Sequence, residues 1–384
     1  MKNNKPKIRF KDFTGPWEQR KLRDIVGIYD GVHQTPKYQD GGIMFLSVEN
    51  IATLHSSKYI SEEDFKRDYK VYPQENDILM TRIGDVGTTN VVTDNGLKAY
   101  YVSLALLKYR STNPFFLSNA IQSDYVQNGL SNRTLKTAIP MKINKDEIGK
   151  VDVMLPTSTD EQVQIGTYFR NLDNLITLHQ RKCDNLKKIK KAMLEKLFPK
   201  NGNSIPEVRF KGFTDDWEQR KLGELVDVCN GRDYKHLKEG TIPVYGTGGY
   251  MLSVNEALSY DKDAIGIGRK GTIDKPYILY APFWTVDTLF YAIPAEKFDL
   301  HFAFDIFQNI DWKMKDESTG VPSLSKTAIN NIDIFIPKYY EQQFIGRLFS
   351  NLDHLITLHQ RKVENLKKIK KAMLEKMFPK EDLI

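Results

Sequence analysis

Cysteine is nearly absent from this chain, which has 384 residues and only two cysteines, Cys183 and Cys229. Two distant cysteines supply neither a disulfide framework nor the closely spaced thiols of a zinc site. No apolar run comes near the about 18 residues that read as a membrane span, and the N-terminus has no apolar leader segment. We therefore expect a cytoplasmic protein that binds no metal and contacts no membrane.

Convincing catalytic motifs are absent as well. Residues 266–271 match the glycine spacing of a dinucleotide-binding loop, but that loop needs a helix immediately afterwards, and Pro276 opposes one. Asn113-Pro-Phe-Phe116 is similar to the Asn-Pro-Pro-aromatic motif of adenine methyltransferases but lacks the second proline. A helix N-cap followed by proline explains it better. We expect no catalysis and no cofactor in this chain.

The dominant positive feature is an internal repeat. Residues 171–200 return as residues 351–380 with 26 of 30 positions identical, and residues 8–22 return as 208–222 with 11 of 15 identical. The stretches between these blocks share almost no sequence. The pattern is typical of one scaffold that carries two different recognition domains.

Charge is concentrated in the long repeated segment. Each copy of 30 residues has eight Lys or Arg and three Asp or Glu, whereas the whole chain has a net charge of only +7. The remainder is therefore slightly acidic. A basic excess permits a polyanionic partner, although a solvated helix face gives the same composition.

The long repeated segment predicts a helix with one apolar stripe. Core-compatible residues recur at spacings of three and four from Ile165 to Leu197 and from Ile345 to Met377, which is close to a coiled-coil seam. The stripe includes Ile189 and Ile369. The predicted seam comprises Phe169, Leu172, Ile176, His179 and Leu186 in the first copy, and Phe349, Leu352, Ile356, His359 and Leu366 in the second.

Each stripe needs a partner, and the nearest is the other copy. Antiparallel packing would turn the tandem repeat into a pseudo-twofold arrangement. The expected fold class is thus α/β (α+β) recognition domains joined by two long antiparallel coiled-coil helices.

Both variable stretches read as mixed α/β domains. Short β-like runs fall at residues 43–48, 77–82, 89–93 and 151–155 in the first, and at 242–245, 264–267, 277–280, 285–293 and 332–336 in the second. One helix is expected in each, at residues 114–127 and 296–309.

One element recurs in both variable domains: a strand that begins at an acid leads to Arg-x-Gly. It ends at Arg82-Ile83-Gly84 in the first domain and at Arg269-Lys270-Gly271 in the second. We expect these turns to project both arginines and to leave backbone N–H groups free for a phosphate. Arginine is also the commonest reader of guanine, because its fork matches two acceptors. An ordinary hairpin with a solvated arginine remains open.

Further contact candidates flank these turns. They are Ser47, Asn50, Thr81, Arg82 and Gly84 in the first domain, and Tyr245, Thr247, Gly248, Arg269, Lys270 and Thr272 in the second. Small polar residues beside an aromatic suit close approach to a base, and they suit a plain turn equally well.

The whole pattern resembles the specificity subunit of type I restriction–modification systems. The resemblance covers the full length and is carried by the duplicated frame, the Gly-Arg turn after a strand, the segment Tyr245-Gly-Thr-Gly-Gly249, and Pro322-Ser-Leu-Ser-Lys326 before the second long helix. The implied organisation is a conserved block at 1–22, a target-recognition domain at 23–158, a conserved helix and linker at 159–200, a repeated block at 201–222, a second target-recognition domain at 223–338, and a conserved helix at 339–384.

The resemblance also implies a function. The chain would be a non-catalytic subunit in which each target-recognition domain reads one half of an asymmetric, bipartite site on double-stranded DNA. The helical pair would set the gap and dock two methyltransferase subunits that use S-adenosylmethionine. Two restriction/translocase subunits would supply the ATP- and Mg-dependent steps.

Two alternatives remain open from the residues alone. One is a coiled-coil adaptor with two protein-binding heads, and the other is a two-headed DNA-binding regulator without restriction–modification partners. An adaptor would ignore DNA, and a regulator would bind it without a methyltransferase.

Overall fold

Two long helices organise the chain. In this computed structural model, which describes residues 5–200 and 202–379, they span Thr159–Leu197 and Tyr339–Met377, 39 residues each. The chain divides into a first unit of residues up to His179 together with those from Arg361 onward, and a second unit of Gln180–Gln360. Each long helix therefore contributes one half to each unit. Lys380, the last residue of the sequence repeat, lies outside the described residues.

The described residues up to His179 form nine strands and begin six helices, the last of which continues into the second unit. They are β1 (Trp17–Lys21), α1 (Leu22–Ile25), β2 (Gly27–Asp30), β3 (Ile43–Leu46), β4 (Tyr59–Ile60), α2 (Glu62–Asp68), β5 (Ile78–Thr81), β6 (Thr89–Val91), β7 (Lys98–Tyr100), β8 (Leu104–Lys108), α3 (Pro114–Ile121), α4 (Asp124–Arg133), α5 (Lys145–Gly149), β9 (Asp152–Pro156) and α6 (Thr159–Leu197). A 3₁₀ turn also covers Val48–Asn50.

The second unit repeats this plan with fewer helices. Its elements are β10 (Glu218–Lys221), α7 (Leu222–Leu225), β11 (Val226–Asn230), β12 (Glu239–Gly246), β13 (Gly249–Val254), β14 (Ala264–Gly268), β15 (Tyr277–Leu279), β16 (Trp284–Thr285), β17 (Leu289–Pro294), α8 (Leu300–Asn309), α9 (Lys326–Asn330), β18 (Asp333–Ile336) and α10 (Tyr339–Met377). A 3₁₀ turn covers Trp312–Lys315.

The sheets have the same topology in both units. The four-stranded sheets run β2-β8-β5-β6 and β11-β17-β14-β15, and all their pairs are antiparallel. The three-stranded sheets run β4-β3-β7 and β13-β12-β16, each with one parallel pair. Two sequences with almost no identity between the repeated blocks thus adopt one domain fold.

The short repeated block closes each variable domain at its base. β1 pairs with β9, the strand that immediately precedes α6, and β10 pairs with β18 before α10. Arg9 holds the buried carboxylate of Glu161 in the first turn of α6, with an Nη2–Oε2 distance of 2.7 Å. Arg209 holds Glu341 in the same way at 2.7 Å. The bidentate geometry explains why the block repeats with the helix, because either carboxylate alone would be a buried, unpaired charge.

The antiparallel pairing of the long helices is confirmed inside each unit. In the first unit, Phe169 packs against Phe378 with ring centroids 5.9 Å apart, and Asp173 accepts a 2.7 Å bond from Lys370. Residues farther along α6 therefore contact residues farther back along α10. In the second unit, the Lys190–Asp353 pair at 2.5 Å and the Phe198–Phe349 ring contact at 6.3 Å show the same direction.

The predicted seam residues differ in burial. Phe169, Leu172, Phe349, Leu352 and Ile356 are buried. Three others, Ile176, Leu186 and Leu366, are half-buried, as are His179 and His359.

Two residues of the apolar stripe lie off the seam. Ile189 and Ile369, expected on the stripe, are exposed. The neighbouring Lys190 and Lys370 take the inward positions, where each binds an aspartate of the facing helix.

Two element predictions were wrong in detail. The helix expected over residues 114–127 is divided into α3 and α4, because Gln122 and Ser123 end the first helix and Ser123 Oγ donates to the Ala120 carbonyl at 2.6 Å. The strand expected over 285–293 is divided into β16 and β17 by a turn in which Leu289 N donates to Val286 O at 2.9 Å. Within residues 5–200 and 202–379, no helix is both long and apolar enough to cross a membrane.

Candidate nucleic-acid interface

Equivalent turns follow the third strand of each four-stranded sheet. We define the arginine turn as Arg82-Ile83-Gly84 after β5 and Arg269-Lys270-Gly271 after β14. The glycines have φ of +82° and +94°, values that favour glycine over other residues. Both turns therefore have the same sharp geometry.

Each arginine turn is hydrogen-bonded to the segment that closes its domain. We define the closing segment as residues 139–145 in the first unit and 321–326 in the second. Gly84 N donates to Met141 O, and Gly271 N donates to Pro322 O, each at 2.8 Å. The closing segment thus accepts the glycine N–H groups, and Arg82 N and Arg269 N donate to the Ser103 and Thr288 carbonyls. The expectation that these N–H groups are free for a phosphate is therefore wrong.

The side chain of Arg82 lies inside the first domain. It pairs with Asp30 on β2, its Nε donates to Ile143 O at 3.1 Å, and only 6% of the side chain is exposed. Thr81 is fully buried, and its Oγ1 accepts from Thr88 N at 3.0 Å. The prediction that Arg82 projects outward from the turn is therefore wrong, since Asp30 draws the guanidinium inward.

The side chain of Arg269 lies on the surface. Its guanidinium sits 5.8 Å from the centre of the Phe290 ring, and its Nη1 makes a long hydrogen bond of 3.5 Å to Asp287 O. Lys270 is exposed beside it and Thr272 is half-buried. These residues form a cationic surface with an accessible guanidinium fork, which matches the two acceptors on the major-groove edge of guanine.

Ser47 and Asn50 bind each other at the end of β3. Ser47 N donates to Asn50 Oδ1 at 2.9 Å, and Asn50 Nδ2 donates to His55 O at 2.9 Å. Both residues are half-buried, and Gly84 is the half-exposed corner of the nearby arginine turn. The capping pair thus shapes this loop, and much of its polar capacity is already used.

The β12–β13 hairpin presents the remaining candidates of the second unit. Thr247 and Gly248 form its two-residue turn between the paired Gly246 and Gly249. Tyr245 lies half-buried beside the tip, and a methyl group added at Gly248 would meet open space. The tip is therefore accessible to a large partner.

Two residues of this hairpin were missed by sequence reasoning. Tyr250 is largely exposed, and its ring lies edge-on to Tyr245 at 6.4 Å. Met251 beside it is exposed as well. The sequence signal for Tyr250 and Met251 was their position directly after the glycine-rich turn at residues 246–249.

Tyr277 supports the hairpin turn by donating its hydroxyl to Gly246 O at 2.6 Å. Burial, with a smaller contribution from Tyr245, raises the pKa of Tyr277, so the hydroxyl remains a donor.

The apparent catalytic motifs have structural roles. Gly266 and Gly268 lie within β14, and the next element is the strand β15, so no helix follows to hold a dinucleotide. Asn113 caps α3, accepting from Phe116 N at 3.0 Å with Pro114 in the first turn, which confirms the N-cap interpretation. Across the described parts of the chain, no group of three or more His, Cys, Asp and Glu could hold a metal ion.

Comparison with known proteins identifies the family. A sequence profile described as "Type I restriction modification DNA specificity domain" matches residues 14–188 and again residues 214–368. The chain is 23% identical to the type I restriction enzyme MjaVIII specificity subunit of Methanocaldococcus jannaschii, over 93% of this chain and 91% of that protein. It is 24% identical to the putative MjaX specificity subunit of the same organism, over 97% and 95%.

Solved structures show the same fold. The crystal structure of the type I restriction–modification S subunit from M. genitalium matches with a TM-score of 0.73 at 16% identity, covering 98% of this chain and all of that one. A chain from a structure of type I R-M complex assembly and conformational transition matches with a TM-score of 0.50 at 12% identity. That match covers 94% of this chain and 98% of the other.

The profile matches twice and spans most of the chain. The chain therefore belongs to the type I restriction-modification DNA specificity family. It is the recognition component of such a system and not the catalytic one, as the resemblance implied.

Proposed function

We propose that each unit reads one half of an asymmetric, bipartite site on double-stranded DNA. The supporting observation is one domain fold built twice on a near-identical frame, with different side chains at the arginine turn and hairpin. Two unlike heads require two unlike half-sites. The continuous long helices, 39 residues each, would fix the gap between them.

The second unit carries the stronger set of base contacts. Arg269 and Lys270 are exposed at the arginine turn, and Tyr250 and Thr247 lie at the hairpin tip. We assign Arg269 as a reader of guanine and Lys270 as a phosphate contact, because a fork discriminates bases whereas an ammonium is a point charge. Tyr245, Gly248 and Thr272 would shape this surface.

The first unit reads DNA through different groups. Gly84, Ser47 and Asn50 remain candidates at its surface, whereas Thr81 and Arg82 act from inside by holding the turn. This division follows from burial, since a buried guanidinium already bound to a carboxylate has no fork left for a base.

Methyltransferase subunits are the proposed occupants of the outer faces of the long helices. Each unit exposes the same three large apolar residues on these helices: Leu175, Leu178 and Ile369 in the first, and Leu355, Leu358 and Ile189 in the second. Because the two sets repeat, they suit two copies of one partner. S-adenosylmethionine would be bound by those subunits, and ATP and Mg by two restriction/translocase subunits.

This assignment also places the chain in the cytoplasm, with DNA and the modification subunits. Its first test is the methylome of the cell that carries this gene, compared with a strain that lacks it. We expect deletion to remove one bipartite, adenine-methylated motif, and the intact gene to restore it. An unchanged methylome would contradict the proposal in any strain that transcribes the methyltransferase genes.

Direct binding separates the remaining alternatives. Affinity of the purified chain for duplex DNA should fall steeply with salt, because phosphate contacts release counterions. A chain that binds no DNA, either alone or with a methyltransferase, is an adaptor. A chain that binds one site tightly but never assembles with a methyltransferase is a regulator.

A further inference from the structure

The start of the closing segment of the first unit, together with Leu135 before it, forms an exposed apolar tip. We define the tip as Leu135, Ile139 and Met141, whose exposed fractions are 46%, 100% and 42%. The side chain of Ile139 is thus fully open to solvent. A fully exposed isoleucine between two other exposed apolar residues has an energetic cost in water that a partner would remove.

The tip is held in place by backbone hydrogen bonds. Leu135 N donates to Lys142 O at 2.8 Å, and Ala138 N donates to Leu135 O at 3.4 Å. Met141 O in turn accepts from Gly84 N of the arginine turn. The tip therefore has a fixed position beside the turn, and Pro140 further restricts the backbone next to Ile139.

Basic residues flank the tip along the chain. Residues 133–145 include Arg133, Lys136, Lys142 and Lys145 and no acidic residue. The corresponding stretch of the second unit, residues 311–326, has Lys313, Lys315 and Lys326 balanced by Asp311, Asp316 and Glu317. Arg133 lies 4.0 Å from Glu147, just beyond this stretch, so the basic excess comes from Lys136, Lys142 and Lys145. An apolar point flanked by basic residues fits a surface that is anionic outside and apolar inside, which describes a stacked duplex.

We propose that Ile139 is a wedge that inserts at a base-pair step and partly unstacks it, with Leu135 and Met141 covering the opened bases. This inference rests on the proposed function. Apolar side chains of this kind enter base steps, and the larger protein surface that a kinked duplex can wrap offsets the lost stacking. Selectivity then arises from the ease of deforming the step, which is greatest at pyrimidine–purine steps.

The wedge also compensates for what the first unit lacks. Arg82 is bound to Asp30 and offers no fork to a base. A domain whose turn arginine is internal needs another source of discrimination, and sequence-dependent deformability provides one without direct base contacts.

The test uses the full chain and DNA words selected from a random duplex library. Duplexes of the selected word carry 2-aminopurine at each purine in turn. With the wild-type chain, we expect 2-aminopurine fluorescence to rise at one step in one half-site. The Ile139→Ser chain should abolish that rise and weaken binding by about tenfold or more.

The matched control is Val321→Ser in the closing segment of the second unit, where Val321 is also exposed. It should leave fluorescence at the unstacked step unchanged. A mismatch placed at that step should tighten binding of the wild type, since the step is already opened, and leave Ile139→Ser unaffected. Both residues are exposed, so thermal melting should be the same for all three chains.

The outcomes separate the inference from the function beneath it. If the wild type selects no DNA word, either alone or with its methyltransferase subunits, both fail. If it selects one, but fluorescence stays flat and Ile139→Ser binds as well as the wild type, only the wedge fails. If Ile139→Ser binds DNA normally but no longer assembles with a methyltransferase, the tip is a protein-docking surface and the wedge is overturned.

Discussion

The two arginine turns have the same backbone and opposite side-chain directions. The pairing of the sheets places Asp30 and Ala105 beside the turn in the first unit, and Asn230 and Phe290 at the same positions in the second. Arg82 turns inward to the carboxylate, whereas Arg269 lies outside over the aromatic ring.

The difference shows that a motif does not determine its own role. An aspartate one strand away makes the arginine a structural ion pair. In the second unit, Asn230 stands at the position of the aspartate and offers no carboxylate. Phe290 stands at the position of Ala105, and the arginine lies over its ring. The same Arg-x-Gly pattern therefore forms a structural ion pair in one domain and leaves its arginine exposed in the other.

Replacing each arginine in turn should produce the largest difference between the two units, and that difference is in the free energy of unfolding. Arg82→Ala leaves the Asp30 carboxylate without its partner, which should cost on the order of 3 kcal/mol, the low end for buried pairs, because 23% of the Asp30 side chain is exposed. Arg269→Ala should change the free energy of unfolding by no more than about 0.5 kcal/mol. Chemical denaturation measures both. Asp30→Asn in the Arg82→Ala background should recover much of the loss, and equal losses for the two single variants would contradict this account.

The reverse ranking is expected in recognition. Arg269→Ala should reduce discrimination at one base pair by about 1–3 kcal/mol, because one bidentate contact is lost. The measurement is binding to the selected word and to each single-base variant of it. Lys297→Ala, at an exposed lysine in the loop before α8, is the matched control. A uniform loss on all words would make Arg269 a phosphate contact.

A second pair of equivalent positions lies on α3 and α8, which occupy equivalent places in the two units. Asn119 on α3 and Asp305 on α8 are each six residues after the helix cap, and both are buried. Burial raises the pKa of Asp305 well above its ordinary value, opposed by the nearby Lys190 and reinforced by Asp353 and Asp299. The folded second unit therefore binds this proton more tightly than the unfolded chain does.

The pH dependence of stability should reveal this proton. Because the folded pKa is raised, stability falls as pH rises from the unfolded value of about 4 towards the folded one. Asp305→Asn should therefore stabilise the protein on the order of 1 kcal/mol or more near neutrality, by removing a buried ionisable group. Denaturation at about pH 5 and about pH 8 should show the larger gain at the higher pH.

The reciprocal change is the control for that effect. Asn119→Asp should introduce the same penalty in the first unit, again larger at the higher pH. A gain from Asp305→Asn that did not change with pH would show that Asp305 does not titrate in this range.

The smallest effect is expected where the two seams differ by one side chain. Cys183 and Val363 occupy equivalent positions of the repeat, and both are buried. Cys183→Val should change the free energy of unfolding by less than about 1 kcal/mol, since the frame already accepts valine in the other copy. A larger loss in denaturation would show that the two seams are not packed alike.

The sequence predicted the parts of the fold that depend on local pattern. The long helices, their antiparallel pairing and the strands before the arginine turns follow from period and repetition. The direction of Arg82 could not be predicted, because Asp30 lies 52 residues earlier. The bound state of Gly84 N depends on Met141, which is also distant along the chain. The helices α3 and α4 divide at a local cap that periodicity does not detect.

The pairing of β1 with β9, and of β10 with β18, has a consequence for how new specificities arise. Lys21 lies opposite Asp152, and Lys221 lies opposite Asp333, so each variable domain leaves the frame and returns to it at neighbouring points. A domain attached in this way is a closed loop on the scaffold, and a replacement need only bring its two ends to the same place. The two variable domains of this chain, unequal in length and almost unrelated in sequence, are already attached to the scaffold at equivalent strand pairs.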